Sequence, residues 1–321
     1  MYETRDLTGA AGRIVDQSPW PNNSKIAVSF VVNYEEGGER SLLYGDEGFE
    51  TFLTEGGLMP FPNRPVRERS IESCFEYGSR CGFWRILNLF KKHEVPFTCW
   101  AIGQAVEKNP VVVRAMEEAG CEVGSHSYRW INYENLPEDV EYEHVKKSIL
   151  AIQKASPTNT PPRSWYTGRA SLRTRKIVCQ VYRELNLPQP FDSDDYNDDL
   201  PYWVPDPLAE EKSDEEDKGL LIVPYTLDVN DMKFAVAPGF CNGEDFFTYC
   251  RDAFDVLYEE GQNGAPKMIT IGLHCRMTGR PGRFRGLQKL MEHIALKEGV
   301  WVATREQIAN AWASKHPYQK Q

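Results

Sequence analysis

The chain has 321 residues, 41% hydrophobic and 26% charged, with a formal net charge of −10 at pH 7. That balance is ordinary for a globular protein and long enough for one large α/β domain or two small ones. The acidic surplus, with no basic block, argues against nucleic acid, whose phosphates it would repel. No apolar run approaches ~18 residues, which excludes a membrane-spanning helix and gives no membrane partner. The Met1–Asp6 stretch lacks the charged-then-apolar order of a secretory signal, so a cytoplasmic location is expected. The eight cysteines include no Cys-x-x-Cys pair and read as free thiols in a reducing compartment.

Residues 1–24 are polar and turn-rich and read as an arm lying on the domain. Ile26–Val32 is nearly all apolar and β-branched, which predicts a strand buried on both faces, as in parallel sheets. Residues 39–80, with Pro60, Pro62 and Pro65, read as a long irregular functional loop. A helix is predicted over Gly82–Lys92, a strand over Pro96–Ile102, a short helix over Pro110–Ala119 and a strand over Cys121–Ser125. Pro137–Ala155 reads as a long helix, Trp165-Tyr166 as a short strand, Ser171–Leu185 as a helix and Phe191-Asp192 as a strand end. The acidic stretch between Ala209 and Lys218 reads as a solvated loop. Leu220–Pro224 and Met268–Leu273 are apolar strands. Asn242 suits the N-cap of a helix through Glu260, Leu287–Lys297 is helical, and Thr304–Gln307 has capping-box spacing. Strands alternating with helices across 1–321 predict a single α/β domain with a parallel sheet. Polar clusters follow several strand ends, where the site of such a fold is expected.

Four clusters could carry chemistry. Glu35 and Glu36 stand just past the first strand; successive residues face opposite sides, so one should face the mouth and act as general base. The competing reading is a solvated turn. His126 opens His-Ser-Tyr-Arg-Trp, which begins like a metal-binding His-x-x-x-His loop but ends on Trp130, whose indole cannot coordinate a metal. His126 is otherwise a hydrogen-bonded core histidine, and Arg129 and Trp130 suggest a pocket wall. In Trp165-Tyr166-Thr167-Gly168-Arg169, the arginine could pair with Glu35 or Glu36, bind a substrate carbonyl, or make a structural ion pair. Asp192 and Asp194 lie nearest the strand in an acidic run without EF-hand spacing and are the pocket candidates there. His274 ends an apolar strand ahead of Arg276, Arg280 and Arg283; it could protonate a leaving amine, while the arginines bind carbonyl or carboxylate groups.

In this order the pieces resemble the polysaccharide deacetylase (NodB-homology) superfamily. Asn33-Tyr34-Glu35-Glu36-Gly37 stands where that family has Thr-Phe-Asp-Asp-Gly, so the resemblance puts Glu35 at the base position and Glu36 at a metal-ligand position. It puts His126 at the first metal histidine, Trp130 at the second, Arg169 at the base-orienting arginine and His274 at the catalytic acid. Arg5-Asp6-Leu7, Asn33–Arg40, Tyr44-Gly45-Asp46, Glu76–Arg80, His126–Tyr133, Trp165–Arg169, Asp192–Trp203 and Gly272–Arg283 are similar to the metal-independent allantoinase branch. The resemblance implies a distorted (β/α) barrel of about seven parallel strands, often assembled into homo-oligomers such as tetramers. It implies a C–N hydrolase that opens a small cyclic ureide, allantoin to allantoate, without a cofactor. Any Zn²⁺ would be left with only Glu36 and His126.

The expected chemistry is general acid–base: Glu35 or Glu36 activates water, His274 protonates nitrogen, and Arg169, His126 and Arg276 stabilise the oxyanion and hold substrate. Trp130, Trp165 and Tyr166 pack against the ring. Fungal members of the superfamily include chitin deacetylases, so an acetylated chitooligosaccharide is the alternative substrate. A catalytically inactive carbohydrate-binding relative is a third reading.

Overall fold

The computed structural model describes residues 7–9, 17–58, 66–209 and 218–320. Most of the predicted arm, the prolines of the 39–80 loop and the acidic stretch after Ala209 therefore lie outside the described residues. In chain order the strands are β1 (Ile26–Tyr34), β2 (Thr98–Ala101), β3 (Glu122–Ser125), β4 (Ser164–Trp165), β5 (Phe191–Asp192), β6 (Tyr202–Val204), β7 (Leu220–Ile222), β8 (Lys267–His274) and β9 (Val300–Val302). The helices are α1 (Arg69–Tyr77), α2 (Phe83–His93), α3 (Gly103–Lys108), α4 (Val111–Glu117), α5 (Glu138–Ala155), α6 (Thr174–Glu184), α7 (Gly243–Gln262), α8 (Pro281–Ala295) and α9 (Arg305–Lys315).

β1 is buried along its whole length, as its unbroken apolar run predicts. Its side chains alternate: Ala27 and Val31 join an inner cluster with Trp100, Tyr166 and Tyr225, whereas Val28, Phe30 and Val32 pack outward against the helices. Burying each such aliphatic or aromatic side chain contributes roughly 1.5–3 kcal/mol.

The strand order β6-β7-β5-β4-β3-β2-β1-β8, with β9 on β1, makes one curled sheet, a half-barrel. Every pairing is parallel except that of β6 with β7. This is the expected NodB-like (β/α) barrel, with β1 to β5, β7 and β8 as its seven consecutive parallel strands. No pairing joins β7 to β8 among the described residues. The chain leaving β7 closes that seam: Asn230 bridges Gly272, and Thr270 N donates to Thr226 Oγ1 at 3.0 Å.

Both predicted capping signals form. Asn242 and Asp245 cap α7 reciprocally, as Thr304 and Gln307 cap α9. Such boxes satisfy amides that a helix start leaves unpaired. The 39–80 expectation needs correction, because α1 and a π-helical turn over Gly78–Gly82 occupy its C-terminal part. α1 buries only Ile71 and Phe75, a single i, i+4 pair that is too short a periodic signal to read. The short strands β6 and β9 and the helix α3 were likewise not anticipated. All eight cysteines are free. Among the described residues no helix is long and apolar enough to cross a membrane.

Candidate active site

The carboxyl ends of β1, β3, β4 and β8 bring Glu35, His126, Tyr166 and His274 together at the barrel mouth. Glu35 continues the inward-facing series of β1 and is completely buried. Its Oε1 lies 3.2 Å from His126 Nε2 and 3.5 Å from His274 Nε2. Its Oε2 lies 2.8 Å from Arg276 Nη2. Burial alone would raise this carboxyl, but His274 and Arg276 outweigh it and hold Glu35 well below the usual carboxylate range.

His126 is aimed inward by an unusual backbone. Ser127 follows it at φ +61°, a left-handed conformation that costs a non-glycine residue about 1 kcal/mol or more. Ser127 is pinned there by its hydroxyl, 2.7 Å from Tyr133 Oη, and by the Ser125 hydroxyl, which accepts from its amide. His126 Nδ1 donates to the Tyr166 carbonyl at 3.0 Å, which leaves Nε2 for Glu35. The Tyr166 ring lies 4.9 Å from the imidazole and stacks on Tyr225 at 5.1 Å.

His274 is held by Asp231. Its Nδ1 lies 2.6 Å from Asp231 Oδ1, while Oδ2 accepts from the amides of His274 and Thr278 and from the Thr278 hydroxyl at 2.7 Å. Burial would lower His274, but Glu35 and Asp231 reverse this and raise it to about 9. At neutral pH it is therefore an imidazolium, a proton donor aimed at Glu35 Oε1 and whatever sits beside it. Sequence reading missed Asp231. It is a lone acidic residue beyond β7, indistinguishable in sequence from Asp228, and it meets His274 only through the fold.

Glu36 points away from the mouth, into the gap between β1 and the π-helical turn. A Cβ on Gly78 would lie 2.1 Å from its Oε1, so any larger residue there would have to displace the Glu36 side chain. Burial raises Glu36 to about 7, against Arg276 and reinforced by the charge on Glu35. Arg276 fills the space between the two carboxylates. It donates from Nε to the Leu53 carbonyl at 2.9 Å, and Nη1 lies 3.4 Å from Glu36 Oε1. Its guanidinium lies 4.5 Å from the centre of the Phe75 ring and 4.7 Å from that of Trp130. Its guanidinium is taken up by Glu35, Glu36, the Leu53 carbonyl and two aromatic faces, which places it behind Glu35 and not on an open face of the mouth.

Arg169 does not orient the base. Its guanidinium pairs with Glu50 at 3.0 Å and lies 4.3 Å from the centre of the Trp130 ring, beside Phe52. Arg276 makes the contact with Glu35 and Glu36 that was one option for Arg169. Trp130 thus has two guanidinium groups, of Arg169 and Arg276, at 4.3 and 4.7 Å from its ring centre. Trp165 also departs from expectation: it faces outward, packed with Val145, Ile149 and Ile177, and donates to Thr167 Oγ1 at 2.8 Å. Asp192 is its register partner on β5 and faces the same way, toward Arg175 of α6 at 3.4 Å. Neither reaches the mouth. Asp194 accepts from the amides of Thr167 and Gly168, which fixes the loop that carries Arg169. Burial and the charge of Asp192 push Asp194 up to about 7.

Glu35, His126 and His274 do meet at the mouth, but Asp231 already holds His274 and Arg276 already faces Glu35, and among the described residues no three His, Cys, Asp or Glu side chains are placed to hold a metal ion. Glu36 and His126 lie on opposite sides of Glu35, Trp130 supplies no lone pair, and a guanidinium spans the two glutamates. This donor set does not fit Zn²⁺.

The comparisons with known proteins agree with this frame. The polysaccharide deacetylase family model matches residues 63–189. A Schizosaccharomyces pombe protein provisionally assigned as a polysaccharide deacetylase is 84% identical over 318 residues, covering 99% of each chain. The crystal structure of PuuE allantoinase superposes with a TM-score of 0.88 at 45% identity, over 99% of this chain and 100% of that one. A Pseudomonas aeruginosa PAO1 structure, likewise provisionally a polysaccharide deacetylase, gives 0.87 at 46% identity over the same shares. With that much sequence shared along its whole length, this chain belongs to the polysaccharide deacetylase family of NodB-like hydrolases.

Proposed function

We propose that this chain is a metal-independent cyclic-ureide hydrolase that opens the hydantoin ring of allantoin to give allantoate. The observation that carries this reading is the buried pair of an ionised Glu35 and a protonated His274 held by Asp231, beside a donor set unsuited to a metal. In the proposed reaction Glu35 Oε1 takes a proton from water, whose oxygen bonds to the ring carbonyl carbon. The C–N bond then breaks, its electron pair goes to nitrogen, and His274 Nε2 supplies the proton. With the Nδ1 proton given to the Tyr166 carbonyl, His126 Nε2 beside Glu35 Oε1 can accept a hydrogen bond from the attacking water and hold it against the base.

The leaving group supports a ureide over an acetylated sugar. Hydantoin nitrogen is flanked by a second carbonyl, which delocalises the departing electron pair. The nitrogen of an N-acetylhexosamine leaves as an alkyl amine and gains far more from a Lewis acid. The near-complete burial of Glu35, His126 and His274 also suits a small ligand better than an extended polymer. The likeness to an allantoinase structure supports the same choice, and a cytoplasmic location goes with it, given eight free thiols. N-deacetylation of a chitin-like polymer is the second reading, favoured by the assignment of the fission-yeast relative.

The test is direct. Chelator-treated protein is incubated with allantoin and, separately, with acetylated chitooligosaccharides, and allantoate and acetate are followed. Allantoate without added metal is expected. Acetate release that requires metal would replace this reading with the second one.

A further inference from the structure

We infer that Arg276 is a resident cation, a fixed positive charge that keeps Glu35 ready as a base where an exchangeable metal would otherwise balance the two buried carboxylates. The inference rests on the metal-free reading of the site but not on the choice of substrate. Two adjacent, buried carboxylates cannot share a dry site without a counter-charge. Arg276 is the side chain that reaches both, at 2.8 Å to Glu35 and 3.4 Å to Glu36.

Its seat is built for a permanent ion. The faces of Phe75 and Trp130 take the flat guanidinium at 4.5 and 4.7 Å, an arrangement that stabilises a cation electrostatically. The Leu53 carbonyl fixes Nε at 2.9 Å, so the rotation of the fork is set as well as its position. Phe52, one residue earlier, stacks on Trp130 at 6.3 Å, which ties the 39–58 segment to the same sandwich. Lysine would put its charge at one point and could not make these three contacts together.

This cation differs from a metal in one useful respect and one limiting one. It cannot be lost to a chelator, and it ties up only Oε2, leaving Oε1 to face both histidines. It has no open coordination position, so it cannot acidify a bound water. Proton removal then falls wholly on Glu35, and Arg276 acts through that carboxylate as a positioning residue.

Two measurements test the assignment. The first uses Arg276→Met combined with Glu36→Gln, which removes one charge of each sign so that no buried ion is stranded. The double variant is expected to melt cooperatively, to keep KM, and to lose about 10²-fold in kcat, with roughly tenfold recovered by added guanidinium ion well below denaturing concentrations. A folded double variant with wild-type kcat would overturn the role, and so would one with lowered kcat that guanidinium leaves unchanged. The second is a calorimetric Zn²⁺ titration of the unmodified protein, read without any substrate. No stoichiometric uptake is expected. One tightly bound Zn²⁺ per chain would reject the inference even if allantoin proved to be the substrate, and failure on allantoin would leave the titration result standing.

Discussion

Among the described residues two arginines are completely buried, and they are held in opposite ways. Arg276, at the mouth, lies against two carboxylates and two aromatic faces. Burial disfavours its charge, but Glu35 and Glu36 more than restore it, so it is raised. Arg305 sits inside the barrel at the level of Thr270, four strand residues below His274, or about 13 Å at the rise of a parallel strand. It touches no carboxylate. It donates to the hydroxyls of Ser193 and Thr270, to the Pro224 carbonyl at 2.8 Å and to the Val223 carbonyl. Burial therefore pulls it down to about 10. Its partners come from the β5 and β7 side and from β8, so it stitches the seam that strand pairing leaves open. On the proposed reading the buried charge paired with charge serves chemistry, whereas the one bound to neutral oxygens ties the barrel seam.

Changes at the mouth should therefore cost turnover, and changes at the seam should cost stability. The largest effect is expected from Glu35→Gln, which keeps the shape but removes the base: kcat falls by about 10³-fold while KM barely moves, and the melting temperature drops because Arg276 and His274 lose a buried counter-charge. Retained turnover in steady-state assays would transfer the base role to Glu36. His274→Ala follows, with kcat down by about 10²-fold. In the unmodified protein the acid must be protonated to work, and its raised value of about 9 means that activity persists through neutral pH and falls as pH rises through about 9. Asp231→Asn removes one source of that elevation, so the alkaline limb should move to lower pH and kcat should fall by roughly tenfold. A pH profile of Asp231→Asn that superimposes on the wild-type one would break the link between the two residues. Arg305→Met should keep kcat within about twofold but lose about 3 kcal/mol in urea melts, because several buried oxygens lose a charged donor.

The same contrast explains what was legible in sequence. β1 was readable because burial on both faces leaves an unbroken apolar run, and the α7 and α9 starts were readable because a capping box is complete within four residues. Glu35, His126 and His274 were readable because each stands at or just past the carboxyl end of a strand. What could not be read was whatever depends on a distant partner. Asp231 reaches His274 across 43 residues, and Glu50 takes Arg169 across 119. Arg276 looked like a substrate contact because its sequence position, two residues past β8, does not reveal that α1 and the Leu53 carbonyl wrap it. Trp165 ends the two-residue β4 and Tyr166 follows it, a stretch too short for alternation to show which aromatic faces inward.

That last ambiguity gives the smallest and sharpest expected effect. β4 sends Trp165 to the α5–α6 side and Tyr166 to the mouth. Trp165→Phe removes the bond to Thr167 Oγ1 and part of the packing against Val145, Ile149 and Ile177, so stability should drop by about 1–2 kcal/mol. Because nothing on that side touches Glu35, KM and kcat should stay as they are. Tyr166→Phe keeps the ring stacked on Tyr225 and beside His126 but deletes the hydroxyl that meets Tyr196 Oη at 3.1 Å. It should leave the melt nearly unchanged and alter KM. If the two phenotypes were exchanged, with Trp165→Phe changing KM and Tyr166→Phe the melt, the facing of β4 would be reversed, and the pocket would have to be rebuilt with Asp192, the register partner of Trp165, inside it.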